Sequence, residues 1–148
     1  MLKIIHPIAG TLAIVVIATF WLSTVASELF GSQALIATVK TSIPWGFLVL
    51  IPALAAAGGT GFKLSAGRRA GLVGAKAKRM PLIALNGVLV LVPSAFFLAY
   101  KAQAGVFDTG FYIVQGVELL AGAVNLTLLG LNMRDGLKMK GRLRRRPV

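Results

Sequence analysis

Residues 81–100 read PLIALNGVLVLVPSAFFLAY, a stretch of about twenty residues without a charged side chain. A helix rises about 1.5 Å per residue, so this stretch is long enough to span a hydrocarbon core of about 30 Å. A backbone in lipid must satisfy its own hydrogen bonds, which a helix does, and the stretch shows no sustained alternation that would favour a strand. It is therefore predicted to be a transmembrane helix.

Three further stretches share this length and apolar composition, at residues 8–27, 43–62 and 111–132. The first is too long for the apolar part of a signal peptide, so we expect it to be a permanent helix. The chain is 57% hydrophobic and only 14% charged, whereas a soluble domain carries about 25% charged residues. Residues 1–148 are thus predicted to form one all-α domain, a bundle of four transmembrane helices.

The basic residues gather beside these stretches, in a predicted loop at residues 63–80 and a tail at residues 133–148. By the positive-inside rule, the N-terminus, this loop and the C-terminus face the cytoplasm. We expect a multi-pass protein of a bacterial inner membrane. The net charge of +12 is then explained by topology and by contact with anionic headgroups of the lipid bilayer, and no nucleic-acid partner is predicted.

The single histidine, His6, precedes Pro7 at the start of the first helix. Proline suits a first helical position because its missing N–H is not needed there. One interpretation of His6 is an interfacial side chain that caps the helix or meets a headgroup. The other is an axial ligand of haem iron, because helical bundles build cofactor sites from facing helices and histidine is a common haem ligand.

One histidine cannot supply both axial ligands within a monomer, so a second ligand has to be found. Met80 and Met133 are predicted to lie on the same membrane face as His6, and either thioether could complete a His/Met pair. Alternatively, two copies of the chain could each contribute His6 to one haem in a symmetric homodimer. Ordinary packing is the alternative role for each methionine.

Glycines and arginines on the same predicted face are compatible with haem. Gly58 and Gly59 would let a flat macrocycle approach the backbone, although small residues also serve close helix packing. Arg68, Arg69 and Arg79 could pair with the propionates, since guanidinium groups bind carboxylates bidentately. The positive-inside signal explains these arginines equally well without a ligand. Cysteine is absent, which excludes covalent c-type attachment and thiolate metal sites.

Polar side chains in the fourth stretch recur at helical spacing and should share one face. They are Gln115, Glu118, Asn125 and Asn132, with Gly122 among them. Glu118 lies about two turns inside the predicted boundary, and an ionisable residue at that depth usually faces protein or water. With no lysine expected opposite it, Glu118 could be a proton or cation carrier. The other interpretation is polar contact between helices, with Asn86 as a candidate partner.

Three features of the chain resemble those of known proteins: the helix count, the His6-Pro7 start and the glycine-rich end of the second helix. The chain resembles small four-helix membrane proteins of bacteria and, among them, the compact membrane b-type cytochromes. The resemblance implies a haem b and electron transfer with a quinone or another redox partner. Those cytochromes usually carry several helix histidines and this chain has one, so a haem here needs one of the two routes above.

Three functions follow from these features. The first is a b-type haem protein in electron transfer, acting as a homodimer, with His6 as a ligand. The second is a small transporter or channel that uses Glu118. The third is an accessory subunit of a larger membrane complex. The sequence lacks a phosphate loop, a nucleophile elbow and paired zinc histidines, which makes hydrolytic chemistry improbable.

Overall fold

The computed structural model describes residues 1–65 and 70–139, which are 93% helical and contain no strand. The helical segments are α1 at Leu2–Phe30, α2 at Gln33–Ser65, α3 at Gly71–Asn86, a π-helical segment at Gly87–Leu91, α4 at Val92–Gln103 and α5 at Thr109–Met139. The middle three run on as one span, Gly71–Gln103. Together with α1, α2 and α5 it makes four helices long and apolar enough to cross a membrane. The predicted all-α, four-span architecture is thereby confirmed for the described residues.

The helices continue past the predicted apolar stretches by two to ten residues at each end. The largest differences are at the starts of α2 and α3, which both begin ten residues before the predicted stretches. Only Gly31 and Ser32 connect α1 to α2. At the other end, much of the predicted basic loop forms the last turn of α2 and the first turns of α3. Hydropathy identifies only the part of a helix that suits lipid. The helices continue into the basic region because its alanines and lysines have high helix propensity.

The bundle has two distinct ends. The basic end holds Met1, Ser65, Gly71 and Met139, and the hairpin end holds the short connections at residues 31–32 and 104–108. The α1 helix packs along α2, α2 packs against α4, and α3 packs against α5, whereas α2 barely meets α3. The helices are therefore close together at the hairpin end and diverge toward the basic end, where a cleft opens between α2 and α3.

Buried apolar side chains form a central cluster and a smaller one at the hairpin end. The central cluster includes Ala13, Ile17, Phe47, Leu50 and Leu129. The smaller cluster consists of Ile36, Leu98, Ala102 and Phe111. In contrast, large apolar side chains cover much of the outer surface, such as Leu48 at 72% and Leu120 at 73% exposure. An apolar exterior of this extent suits lipid and not water, which agrees with a multi-pass membrane protein.

The π-helical segment has a local cause in Pro93. Proline has no N–H to donate, and its ring would clash with the carbonyl of the residue four positions earlier, Leu89. The N–H of Val92 instead bonds to the carbonyl oxygen of Gly87, five residues back. The wider turn accommodates the proline without ending the span, and π-helical turns of this kind often lie at functional sites.

Candidate functional site

The cleft between α2 and α3 is a large cavity, with a volume of about 1590 Å³. One wall comes from α1 and α2, and the other from α3, the π-helical segment and α5. Most of its lining is apolar. The polar lining residues include His6, Lys63, Lys76, Lys78, Glu118 and Asn125. The cleft thus carries lysines at the basic end and reaches Glu118 deep in the bundle.

His6 lines the α1–α2 wall and is fixed by α2. Its Nδ1 lies 3.0 Å from the carbonyl oxygen of Ala57 and 3.2 Å from Oγ1 of Thr60. A carbonyl oxygen only accepts hydrogen bonds, so Nδ1 must carry the proton that is donated. In the neutral imidazole, the lone pair then belongs to Nε2. Metal-ligating histidines commonly have this arrangement, because a backbone carbonyl orients the ring and sets the tautomer.

Gly61 allows His6 to approach α2 this closely. A Cβ at Gly61 would lie 2.9 Å from Cε1 of His6 and 3.4 Å from its Nδ1. By contrast, a Cβ at Gly58 or Gly59 would meet nothing within 4 Å. Gly58 lines the cleft, while Gly61 provides the histidine contact that sequence reasoning did not assign.

The two methionines named from the sequence have different surroundings. Met80 lies at the start of the apolar part of the third span and lines the cleft. Its Sδ accepts a hydrogen bond from Nδ2 of Asn132 at 3.5 Å. Met133 is 43% exposed and does not line the cleft. The structure therefore brings Met80, and not Met133, into the same cavity as His6.

Arg79 is held on α5, away from the cleft lining. Its Nη1 donates to Oδ2 of Asp135 at 2.6 Å and to Oδ1 of Asn132 at 3.3 Å. Asp135 is only 2% exposed, so this ion pair joins α3 to α5 in a largely buried position. Arg68 and Arg69, the other two predicted propionate partners, lie outside the described residues.

Glu118 forms an ion pair that the sequence did not predict. Nζ of Lys40 lies 2.5 Å from Oε2 of Glu118 and donates a further bond to Oγ1 of Thr24 at 3.3 Å. The expectation that no lysine would lie opposite Glu118 was wrong. Lys40 lies outside the predicted apolar stretches, but it belongs to α2 and its side chain is fully buried. The pair joins α2 to α5 while Thr24 links it to α1.

The polar side chains of the fourth predicted stretch lie on α5. Gln115, Asn125 and Asn132 are buried on it, and Glu118 is half-buried. Asn86 does not partner Glu118, since its Nδ2 donates to Oδ1 of Asn125 at 2.9 Å and to the carbonyl oxygen of Ala121 at 2.8 Å. This amide pair lies just before the π-helical segment and connects the third span to α5. It fulfils the role of polar contact between helices.

Beyond the Lys40–Glu118 pair, toward the hairpin end, lie buried polar atoms without a partner among the described residues. They are Oε1 of Glu28 and both side-chain polar atoms of Gln115. Gln115 is only 4% exposed. Buried polar groups nearly always have hydrogen-bond partners, so a group that lacks one in the protein calls for water or an ion.

The hairpin end closes with a surface ion pair. Oδ2 of Asp108 accepts a bond from Nζ of Lys101, and its Oδ1 accepts one from the backbone N–H of Phe111 at 2.9 Å. Asp108 thereby caps the first turn of α5. The Lys101 bond, followed by the Phe111 amide, holds the pKa of Asp108 below its usual value.

The described residues contain no group of three or more His, Cys, Asp or Glu side chains that could hold a metal ion. Comparisons with protein-family models, with curated proteins and with solved structures found no match for this chain.

Proposed function

We propose that this protein is a membrane-embedded b-type haem protein in electron transfer, and that the cleft between α2 and α3 binds the haem. The observation that carries the proposal is that His6 of α1 and Met80 of α3 both line one large apolar cavity. Two axial ligands have to approach a flat macrocycle from opposite sides, which this placement allows. The Ala57 carbonyl also orients the His6 ring and places the proton on Nδ1, an arrangement common among metal-ligating histidines.

The other properties of the cleft fit the same group. Haem is a largely apolar plate with two carboxylates on one edge. The cleft offers apolar walls and about 1590 Å³, with Lys63, Lys76 and Lys78 lining it at the basic end, where ammonium groups can pair with propionates. Arg79 already binds Asp135, which reduces its availability for a propionate. Haem supplies reversible one-electron chemistry, and the chain supplies ligands and an apolar environment that tune its potential.

The orientation of the protein in the membrane is proposed from the distribution of its basic residues. We propose that the basic end faces the cytoplasm of a bacterial inner membrane, because the basic residues gather there. The electron donor and acceptor would be a membrane quinone or another redox protein. A homodimer remains part of the proposal, although Met80 offers a second ligand within one chain and a shared haem is then not required.

Haem titration into the detergent-purified protein tests the proposal. We expect one haem to bind with a low-spin absorption spectrum, and the His6→Ala variant to lose this binding. Met80→Leu should keep haem but lose the low-spin spectrum and lower the reduction potential, because a thioether ligand raises it. Met133→Leu is the matched control, since this methionine lies outside the cleft. Identical spectra for the two methionine variants would exclude Met80 and favour two His6 ligands in a dimer.

Transport through the cleft is a second candidate, favoured by the ion pair at its deep end. Glu118 lines the cleft, and Lys40 neutralises it within the bundle. An ion pair at this depth is costly to bury and is a common coupling element in transporters. Substrate flux in proteoliposomes that survives His6→Ala and is abolished by Glu118→Gln would support transport over electron transfer.

A further inference from the structure

We propose that Glu28, Lys40 and Glu118 form a proton-binding site in which the two carboxyl groups share one exchangeable proton beside the Lys40 ammonium. This site lies between the cleft and the hairpin end. It goes beyond haem binding and does not depend on it, because none of its groups is a proposed haem ligand.

Charge balance around the buried Lys40 favours one proton on the two glutamates. Lys40 is fully buried and its one positive charge is matched by Glu118, which is 12% exposed. Glu28 lies one helical turn after Thr24, which binds Lys40, so a second carboxyl group lies near this single ammonium. An unmatched buried charge is expensive to keep away from water. The neutral combination is one ammonium, one carboxylate and one carboxylic acid, which means that one proton resides on the pair of glutamates.

The hydrogen bonding of Glu28 favours a proton on this carboxyl group. Its Oε1 is buried and accepts no hydrogen bond from the described residues. An ionised carboxylate oxygen without a donor carries a large desolvation cost, whereas a carboxylic acid carries a much smaller one. Glu118, in contrast, receives the Lys40 ammonium directly. In the resting arrangement the proton therefore resides on Glu28.

A third observation points to a path for the proton. Thr24, which accepts a bond from Lys40, and Glu28 are one turn apart on α1 and share a face. Gln115 lies one turn beyond Glu118 on α5, in the direction of Glu28, and neither of its polar atoms has a partner among the described residues. Both helices thus place unpartnered polar groups in one layer. Water is the usual partner of such groups, and it conducts protons.

The charged groups around the site are few, which makes its titration simple to assign. The α1 helix contributes Glu28, α2 contributes Lys40 and α5 contributes Glu118. The charged residue of α4 is Lys101, which binds Asp108 at the rim. The reaction at the site is proton binding from water, with an O–H bond formed on one carboxyl group and broken when the proton leaves.

Infrared spectroscopy of the full-length protein in lipid nanodiscs tests this proposal, because the chain has only four carboxyl side chains. At neutral pH we expect a carbonyl band from one protonated carboxyl group that shifts in D₂O and disappears as the pH is raised. Glu28→Gln and Glu118→Gln should each abolish it, since either change leaves one carboxylate matched to Lys40. Asp108→Asn is the matched control at the rim and should retain it.

Removing the Lys40 ammonium should strengthen the infrared band, whereas removing either glutamate should abolish it. In Lys40→Met both carboxyl groups lose their counter-ion, so we expect the band to grow about two-fold as both become protonated. A wild-type spectrum without the band at neutral pH would overturn the proposal whatever the variants do. A band that persists in both Glu28→Gln and Glu118→Gln would also overturn it, because the proton would then belong to another group.

Discussion

The contact between Gly61 and His6 gives the most specific prediction. In a Gly61→Ala variant the new Cβ would lie 2.9 Å from Cε1 of His6. Carbon atoms pack best at about 3.5–4.0 Å, so the ring must retreat by roughly 0.6–1 Å. Nδ1 is 3.0 Å from the Ala57 carbonyl oxygen, and a retreat of that size ends the hydrogen bond. Losing it costs about 0.5–1.5 kcal/mol, and the crowding costs about 1–3 kcal/mol if the ring cannot move away.

Nitrogen NMR of protein labelled only at histidine measures this effect, because His6 is the single histidine in the chain. In the wild type the bond to Ala57 fixes the proton on Nδ1. We expect Gly61→Ala to shift the tautomer toward a proton on Nε2, the form that predominates in free imidazole side chains. The same variant should bind haem more weakly, because a protonated Nε2 has no lone pair to donate to iron.

Gly59→Ala is the matched control for this prediction. It is the same substitution two residues earlier in α2, and its Cβ would meet nothing within 4 Å. It should leave the tautomer unchanged. Equal tautomer populations in wild type, Gly59→Ala and Gly61→Ala would refute the reasoning that α2 orients His6.

Three further predictions concern the contacts that hold the bundle together. Asn125→Leu removes the bond from Asn86, and we expect it to lower the free energy of unfolding in detergent by about 0.6–1.7 kcal/mol. Asp135→Asn keeps the shape but not the charge that Arg79 binds, and a loss of about 1.5–3 kcal/mol is expected in the same assay, reduced when Arg79 is also changed to Met. Asp108 has a lowered pKa, so its contribution is present above about pH 4 and lost as the pH falls through the lower folded-state pKa. Amide hydrogen exchange at the start of α5 should accelerate in that acidic range, and an exchange rate that does not depend on pH beyond the intrinsic effect would contradict the assignment.

The number and approximate position of the spans could be predicted because hydropathy responds to one variable, the exposure of side chains to lipid. The polar face of α5 was equally predictable, since the spacing of Gln115, Asn125 and Asn132 follows helical geometry. Lys40 shows where this reasoning ends. Hydropathy places a lysine outside the membrane, but a lysine with a buried carboxylate partner can lie within a helix of the bundle, and only three-dimensional packing identifies that partner.

The candidate site was predictable in part for the same reason. His6 and Met80 were named from the chemistry of their side chains, which the sequence displays directly. The sequence predicts the same membrane face for Met80 and Met133. Only the structure shows which of the two side chains lines the cleft. Gly61 was not distinguished from Gly58 and Gly59, because a close approach of an imidazole to one glycine depends on the rotation of α1 against α2.

The most direct test of haem binding is an absorption spectrum of the protein purified from membranes after expression with added haem precursor. We expect the wild type to show a Soret band, with sharp α and β bands after dithionite reduction. The His6→Ala variant should lose these bands while it remains in the membrane. A featureless visible spectrum of the wild type, or undiminished haem in His6→Ala, would contradict this expectation.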